Sequence, residues 1–205
     1  MKYTNLASGA SIEKTTQSLH EHNFEPLTVE TRAEAMAKIQ ELIPAGVSVM
    51  NGASVTLEQI GFIDLLKSGK HGWNDLHAGI LAEKDPEKQA VLRKQSVISD
   101  YYLGSVHALT ETGELVIASN TGSQMPHIVY TSKNLIFVVG AQKIVQSVDE
   151  GLKRVGEYVV PLEDKHMQEL YNAHTFWSKT VIFNKENPAS GRKVWIIIVN
   201  ESLGF

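Results

Sequence analysis

Leu135-Ile-Phe-Val-Val139, closed by Gly140, constrains this chain more than any other stretch. An unbroken apolar run of strand length reads as a strand buried on both faces, since a half-solvated strand would alternate. Strands of that kind belong to parallel sheets covered by helices on each side. The flanking sequence supplies the helices. A polar helix is expected over about Ser11–His22, running into a short strand at Phe24–Val29. Thr31 and Glu34 have capping-box spacing, and Met36, Ile39 and Ile43 follow at helical intervals up to Pro44-Ala-Gly46. Val47–Met50 reads as a brief strand, and a helix begins near Ser54 or Thr56 with Leu57, Ile60 and Ile63 along it.

Further on, Lys67–Asp75 is glycine-rich and reads as a loop, and Asp85-Pro-Glu opens a helix to about Ser96. Asp100–Leu103 and Glu114–Ala118 read as two strands with the turn Thr110–Gly113 between them. Ser147 and Glu150 repeat the capping-box spacing and start a helix through about Glu157. Pro161 is expected to break it, with a separate short helix over Leu162–Ala173. Phe176–Phe183 and Lys193–Val199, separated by Asn184–Gly191, resemble a hairpin. Without repeats or a linker, residues 1–205 are expected to form one α/β domain. Its sheet should be mostly parallel, covered on both faces, with a C-terminal antiparallel addition.

Composition removes several function classes. A net charge of −4 without a basic cluster argues against nucleic acid as a partner. The absence of cysteine excludes disulfides, Cys-ligated zinc and a self-contained iron–sulfur centre. Met1–Ala7 lacks an apolar signal core, and Val194–Val199 is far short of the roughly 20 residues a spanning helix needs, so a cytoplasmic protein without membrane contact is expected. The chain carries neither GxGxxG after a strand, nor GxxxxGK[ST], nor a GxSxG elbow. Eight histidines occur without HExxH or comparable spacing, so neither a metal site nor a bound cofactor is expected.

Polar residues at the ends of the expected strands mark a candidate site, because open sheets bind ligands there. In Asn51–Thr56, Gly52 permits close backbone approach, and Ser54 and Thr56 offer hydroxyls to a phosphate or carboxylate. The equal alternative is that Ser54 serves only as the cap of its own helix. Glu111 is the candidate base or nucleophile, flanked by Thr110, Thr112 and Gly113, against the alternative of a solvated turn glutamate. Gly122, Ser123 and Gln124 form a second polar run. Gly140 and Lys143 form a third, with Lys143 either reaching an anion or lying on the surface. His107 and His127 fall in the same region, for acid–base work or as hydrogen-bonded structural groups.

Three motifs and a helical segment, taken in order, resemble the lactate-utilisation (LUD) domain family, of the LutC/YkgG type. They are Asn51–Gly61, Ser99–Val116, Phe137–Val145 and the helical Glu150–Arg154, within a likeness running from about residue 12 to Asn200–Phe205. The resemblance implies a three-layer α/β/α fold like that of the ribose-5-phosphate isomerase, glucosamine-6-phosphate deaminase and CoA-transferase superfamily. It also implies a place in lactate or organic-acid utilisation, with a small anionic metabolite as ligand and iron–sulfur oxidoreductase subunits as partners. Two other roles follow from the same likeness: a non-catalytic subunit docking on such an oxidoreductase, and an isomerase or CoA-transferase-like enzyme using Glu111. This chain departs from similar small members, which often carry asparagine at His107, an acidic residue at Thr112 and an asparagine–arginine pair near Ser123-Gln124. Gln124 cannot supply the charge of that arginine. The cysteines many members carry before the last strand are missing from Thr180–Arg192.

Overall fold

A computed structural model describes residues 2–205. Among these residues the strands are β1 (Glu25–Val29), β2 (Ser48–Asn51), β3 (Asn74–Asp75), β4 (Tyr101–Gly104), β5 (Ala108–Thr110), β6 (Leu115–Ser119), β7 (Asn134–Gly140), β8 (Ile144–Val145), β9 (Lys179–Phe183) and β10 (Lys193–Val199). The α-helices are α1 (Gly9–Glu21), α2 (Arg32–Leu42), α3 (Val55–Gln59), α4 (Phe62–Ser68), α5 (Leu76–Ala82), α6 (Pro86–Gln95), α7 (Val148–Arg154) and α8 (Val160–Tyr171). No helix among the described residues is long and apolar enough to cross a membrane.

Six strands form one sheet in the order β1-β10-β7-β4-β2-β3, and every pairing in it is parallel. The strand Leu135–Val139 lies near its middle and is buried on both faces, as its unbroken apolarity requires. Ile136 and Val138 point to one face, where they meet Ala35 and Ile39 of α2, Leu57 of α3 and Phe62 of α4. Leu135, Phe137 and Val139 point to the other, where they meet Leu19 of α1 with Leu109, Leu115 and Ile117. Those last three belong to a second, mixed sheet of order β8-β5-β6-β9. Its outer face, through Ala108 and Val116, packs on Val155 and Leu152 of the α7 region. The α/β class and mostly parallel sheet are thus as expected, with the antiparallel addition provided by β9 on β6.

Two local expectations differ. Phe176–Phe183 and Lys193–Val199 do not form a hairpin: β9 pairs with β6 in the second sheet, whereas β10 runs parallel between β1 and β7. All but two of β10's residues are buried, so its apolar run finds more burial in the centre of the large sheet than beside the largely exposed β9. Asp100–Leu103 and Glu114–Ala118 both form strands, as expected, but in different sheets. β4 joins the main sheet, and the intervening β5 is the antiparallel partner of β6. Finally, Pro161 does not break its helix. α7 passes through a π-helical turn, Val155–Val159, into α8, and the turn closes with the Val160 N–H donating to the Val155 carbonyl. A widened turn accommodates the proline ring and its missing donor without ending the rod.

Candidate functional site

The carboxyl ends of three adjacent strands, β2, β4 and β7, open into a cleft of about 510 Å³. From β2 comes the loop Asn51–Thr56 leading into α3. From β4 come Gly104 and Ser105, followed by His107, and just beyond β7 comes Lys143. The far wall is the inner side of α8, and the strand–loop Ala118–Gln124 closes one flank.

Lys143 is the central feature. After Gly140 the chain makes a tight 3-10 turn, Ala141–Lys143, all of it buried, and Lys143 is only 2% exposed. The turn is locked by Gln142, whose Nε2 donates to the Leu203 carbonyl at 2.8 Å while its Oε1 accepts from the Leu203 N–H at 3.2 Å. Gly140 has to be glycine: a Cβ there would lie 2.2 Å from the Gln142 Oε1 and 2.7 Å from the Leu203 nitrogen. The Lys143 Nζ donates to the Thr56 Oγ1 at 3.0 Å and to the Ser105 Oγ at 3.1 Å. Both hydroxyls direct their own protons elsewhere, Ser105 to the Val138 carbonyl at 2.7 Å and Thr56 to the Leu203 carbonyl at 3.4 Å. No carboxylate among the described residues pairs with this ammonium, and burial together with the positive charge of Arg154 lowers its pKa to about 7.

Arg154, the last residue of α7, is completely buried. Its Nη1 donates to the His107 carbonyl, and the guanidinium carbon lies 5.2 Å from the Tyr158 ring centroid and 5.9 Å from that of Tyr3. Its Nε and Nη2 have no hydrogen-bond partner among the described residues. Two cations without a carboxylate partner among the described residues therefore lie beneath the cleft, an arrangement that costs stability and is characteristic of functional sites.

Burial holds the neighbouring His107, His127 and Tyr102 in their neutral forms. The His107 Nδ1 accepts from the Ala118 N–H at 3.0 Å, and burial, with Lys143 and Arg154 nearby, lowers its pKa to about 3. His127 stacks on Tyr102 with centroids 4.5 Å apart and shares its Nδ1 with the hydroxyls of Ser99 and Ser132. Burial lowers its pKa to about 4 and raises that of the Tyr102 phenol. The Tyr102 hydroxyl stands over Gly52, where a Cβ would approach it to 2.4 Å. On the α8 wall, Glu163 has its pKa raised by burial, with Glu58 adding to the effect.

The expected site residues are not all brought together. Gly52, Ser54, Thr56, Ser123, Gln124 and Lys143 all line the cleft. Within it Ser54 does cap its own helix, accepting from the Leu57 N–H at 3.3 Å, and the Gln124 Nε2 donates to the Ala118 carbonyl at 3.1 Å. Glu111, Thr110, Thr112 and Gly113 are not brought there. Their turn closes the β5–β6 hairpin against α1, where the Glu111 carboxylate accepts from the Ser11 Oγ at 2.6 Å and the Lys14 Nζ at 2.9 Å. Thr112 donates to Glu114 at 2.6 Å, Thr110 donates to the same carboxylate, and Gly113 lies against the Ser18 carbonyl. Gly140 acts in the turn behind Lys143, and Gly122 lies beneath the Lys179 side chain. Sequence reasoning missed Ser105, Tyr102 and Arg154. Nothing local distinguishes Arg154 from an ordinary helix-terminal arginine.

A doubly covered parallel sheet with its cleft at adjacent strand ends is the class that fold and site define. A family model described as the LUD domain matches residues 12–199, and the chain belongs to that family, which is associated with lactate utilisation. No curated protein matches it. Among the solved structures that match is the crystal structure of a DUF162 family protein from Deinococcus radiodurans. The two share 13% sequence identity and a TM-score of 0.58, over 96% of this chain and 100% of that one.

Proposed function

We propose that this LUD protein binds a small organic acid, lactate or a close relative, in the cleft at the strand ends, as one domain acting in organic-acid metabolism. The observation that carries the reading is the buried Lys143 ammonium, which faces the cleft with two hydroxyls for company and no carboxylate. An anion entering the cleft supplies the missing counter-charge, and in that low-dielectric setting the pairing is stronger than on the surface. Binding then raises the affinity of Lys143 for its proton, so anion affinity falls as pH rises above about 7. Calorimetric titration of lactate and pyruvate at pH 6.5 and pH 9, with the wild type and Lys143→Met, tests this. Binding at pH 6.5 that weakens at pH 9 and disappears in the variant is expected. Equal binding by the variant refutes it.

A second reading is favoured by Leu170, Tyr171, Phe176 and Trp177, exposed apolar residues along the cleft mouth. Such a rim suits docking onto an oxidoreductase subunit, and loss of co-purification with an iron–sulfur partner on Phe176→Ser tests it. An isomerase or CoA-transferase chemistry based on Glu111 has no support from geometry, because that carboxylate is held on α1 by Ser11 and Lys14.

A further inference from the structure

We propose that Lys143 is a nucleophile, condensing through its Nζ with the carbonyl carbon of a small 2-oxo acid to hold it as an imine. The inference rests on the organic-acid reading of the cleft and narrows the ligand from hydroxy acids to 2-oxo acids. The geometry around the nitrogen carries it. A neutral amine has two N–H bonds and one lone pair. Thr56 at 3.0 Å and Ser105 at 3.1 Å take up the two N–H groups. Because both hydroxyls give their own protons to backbone carbonyls, each meets Nζ as an acceptor and leaves its lone pair free. Lys143 lines the cleft, so the one unoccupied tetrahedral position belongs to that lone pair and to an incoming carbonyl. Space beside it is kept by Gly204, where a Cβ would come within 3.1 Å of Nζ and 2.3 Å of the Thr56 Oγ1.

The surroundings favour the neutral form. Arg154 lies beneath with Nε and Nη2 unpartnered among the described residues, and the positive charge of Lys143 and Arg154 helps to hold the buried His107 imidazole neutral. The other titratable groups lining the cleft are Glu58, His77, Arg93, Tyr102, His127, Glu163, His166 and Tyr171. None of them pairs with Nζ. A lysine that is desolvated and set beside another cation is poised for imine chemistry.

In the step, the Nζ lone pair forms the new C–N bond, and the electrons of the carbonyl π bond move to its oxygen. That oxygen then leaves as water, carrying the two hydrogens that Nζ gives up. No oxidant or reductant takes part.

The test is reductive trapping. The whole chain is incubated with pyruvate and cyanoborohydride between pH 6 and pH 9, followed by intact mass and peptide mapping. At pH 8 the neutral fraction of Lys143 exceeds that of an exposed lysine by on the order of a hundredfold. One reduced pyruvate on the peptide carrying Lys143, ahead of every surface lysine and with a rate rising through pH 7, is expected. Lactate should slow the labelling and give no adduct itself. Mapping on the wild type keeps the result independent of whether Lys143→Met folds. Labelling confined to surface lysines overturns the proposal. If lactate and pyruvate then stabilise the protein equally, the organic-acid cleft survives without the imine; if neither binds, both readings fall.

Discussion

Replacing Lys143 with methionine removes the buried cation while keeping most of its volume. The folded pKa of about 7 against an ordinary value of 10.5 corresponds to about 5 kcal/mol of ionisation penalty. Its pH dependence has a definite sign. Below pH 7 the amine is charged in both states, so the full penalty weakens the wild type. Between pH 7 and 10.5 the unfolded chain still holds a proton that the folded protein has released, so wild-type stability rises with pH. Above that range both states are neutral and the penalty is gone. The methionine variant lacks this dependence. From pH 7 to pH 9 the wild type should therefore gain about 2 kcal/mol relative to Lys143→Met, since every other titrating group is common to both proteins. Urea denaturation followed by circular dichroism at the two pH values measures the difference. A gap between the two proteins that stays constant with pH would refute the reasoning.

Other outcomes follow from the same contacts. Gly52→Ala drives a Cβ towards the Tyr102 hydroxyl, whose ring is fixed by its stack on His127; it should cost about 1–3 kcal/mol and abolish organic-acid binding in calorimetry. His127→Gln removes an imidazole that the unfolded chain protonates near pH 6.5 and the folded protein near pH 4. The loss of stability on acidification across that window should shrink by about 3 kcal/mol in denaturation curves. Glu111→Gln breaks a partly exposed pair with Lys14, so it should change stability by less than about 1 kcal/mol and leave ligand affinity in the cleft unaltered.

Much of this fold is legible in the sequence because it is written locally. The unbroken apolarity of Leu135–Val139 announces a central parallel strand. The Thr31–Glu34 and Ser147–Glu150 spacings announce helix starts, and both hydroxyls accept the expected backbone N–H. Partner choice is not local. The aliphatic run of β10 and the partly polar β9 look like a hairpin until the burial available in the two sheets is compared. The π turn that absorbs Pro161 depends on how α7 and α8 pack, which no proline rule contains. The site behaves the same way. That Lys143 follows a strand could be read from its position, and so could Ser54 at a helix start. A polar turn such as Thr110–Gly113 carries no mark of which face it presents, and α1, distant in sequence, captures Glu111. Arg154 becomes significant only when α7 folds over β5 and buries a guanidinium that no carboxylate among the described residues neutralises.

The titration of Lys143 itself is the most direct test of the account. Carbon-13 NMR of lysine labelled at Cε, with the Lys143 resonance assigned by its absence in Lys143→Met, follows the ionisation of this one amine in the whole protein. A midpoint near pH 7 is predicted. A midpoint at or above pH 10, the range of a solvated lysine, would contradict the claim that this amine lies buried without a counter-charge at the floor of the cleft.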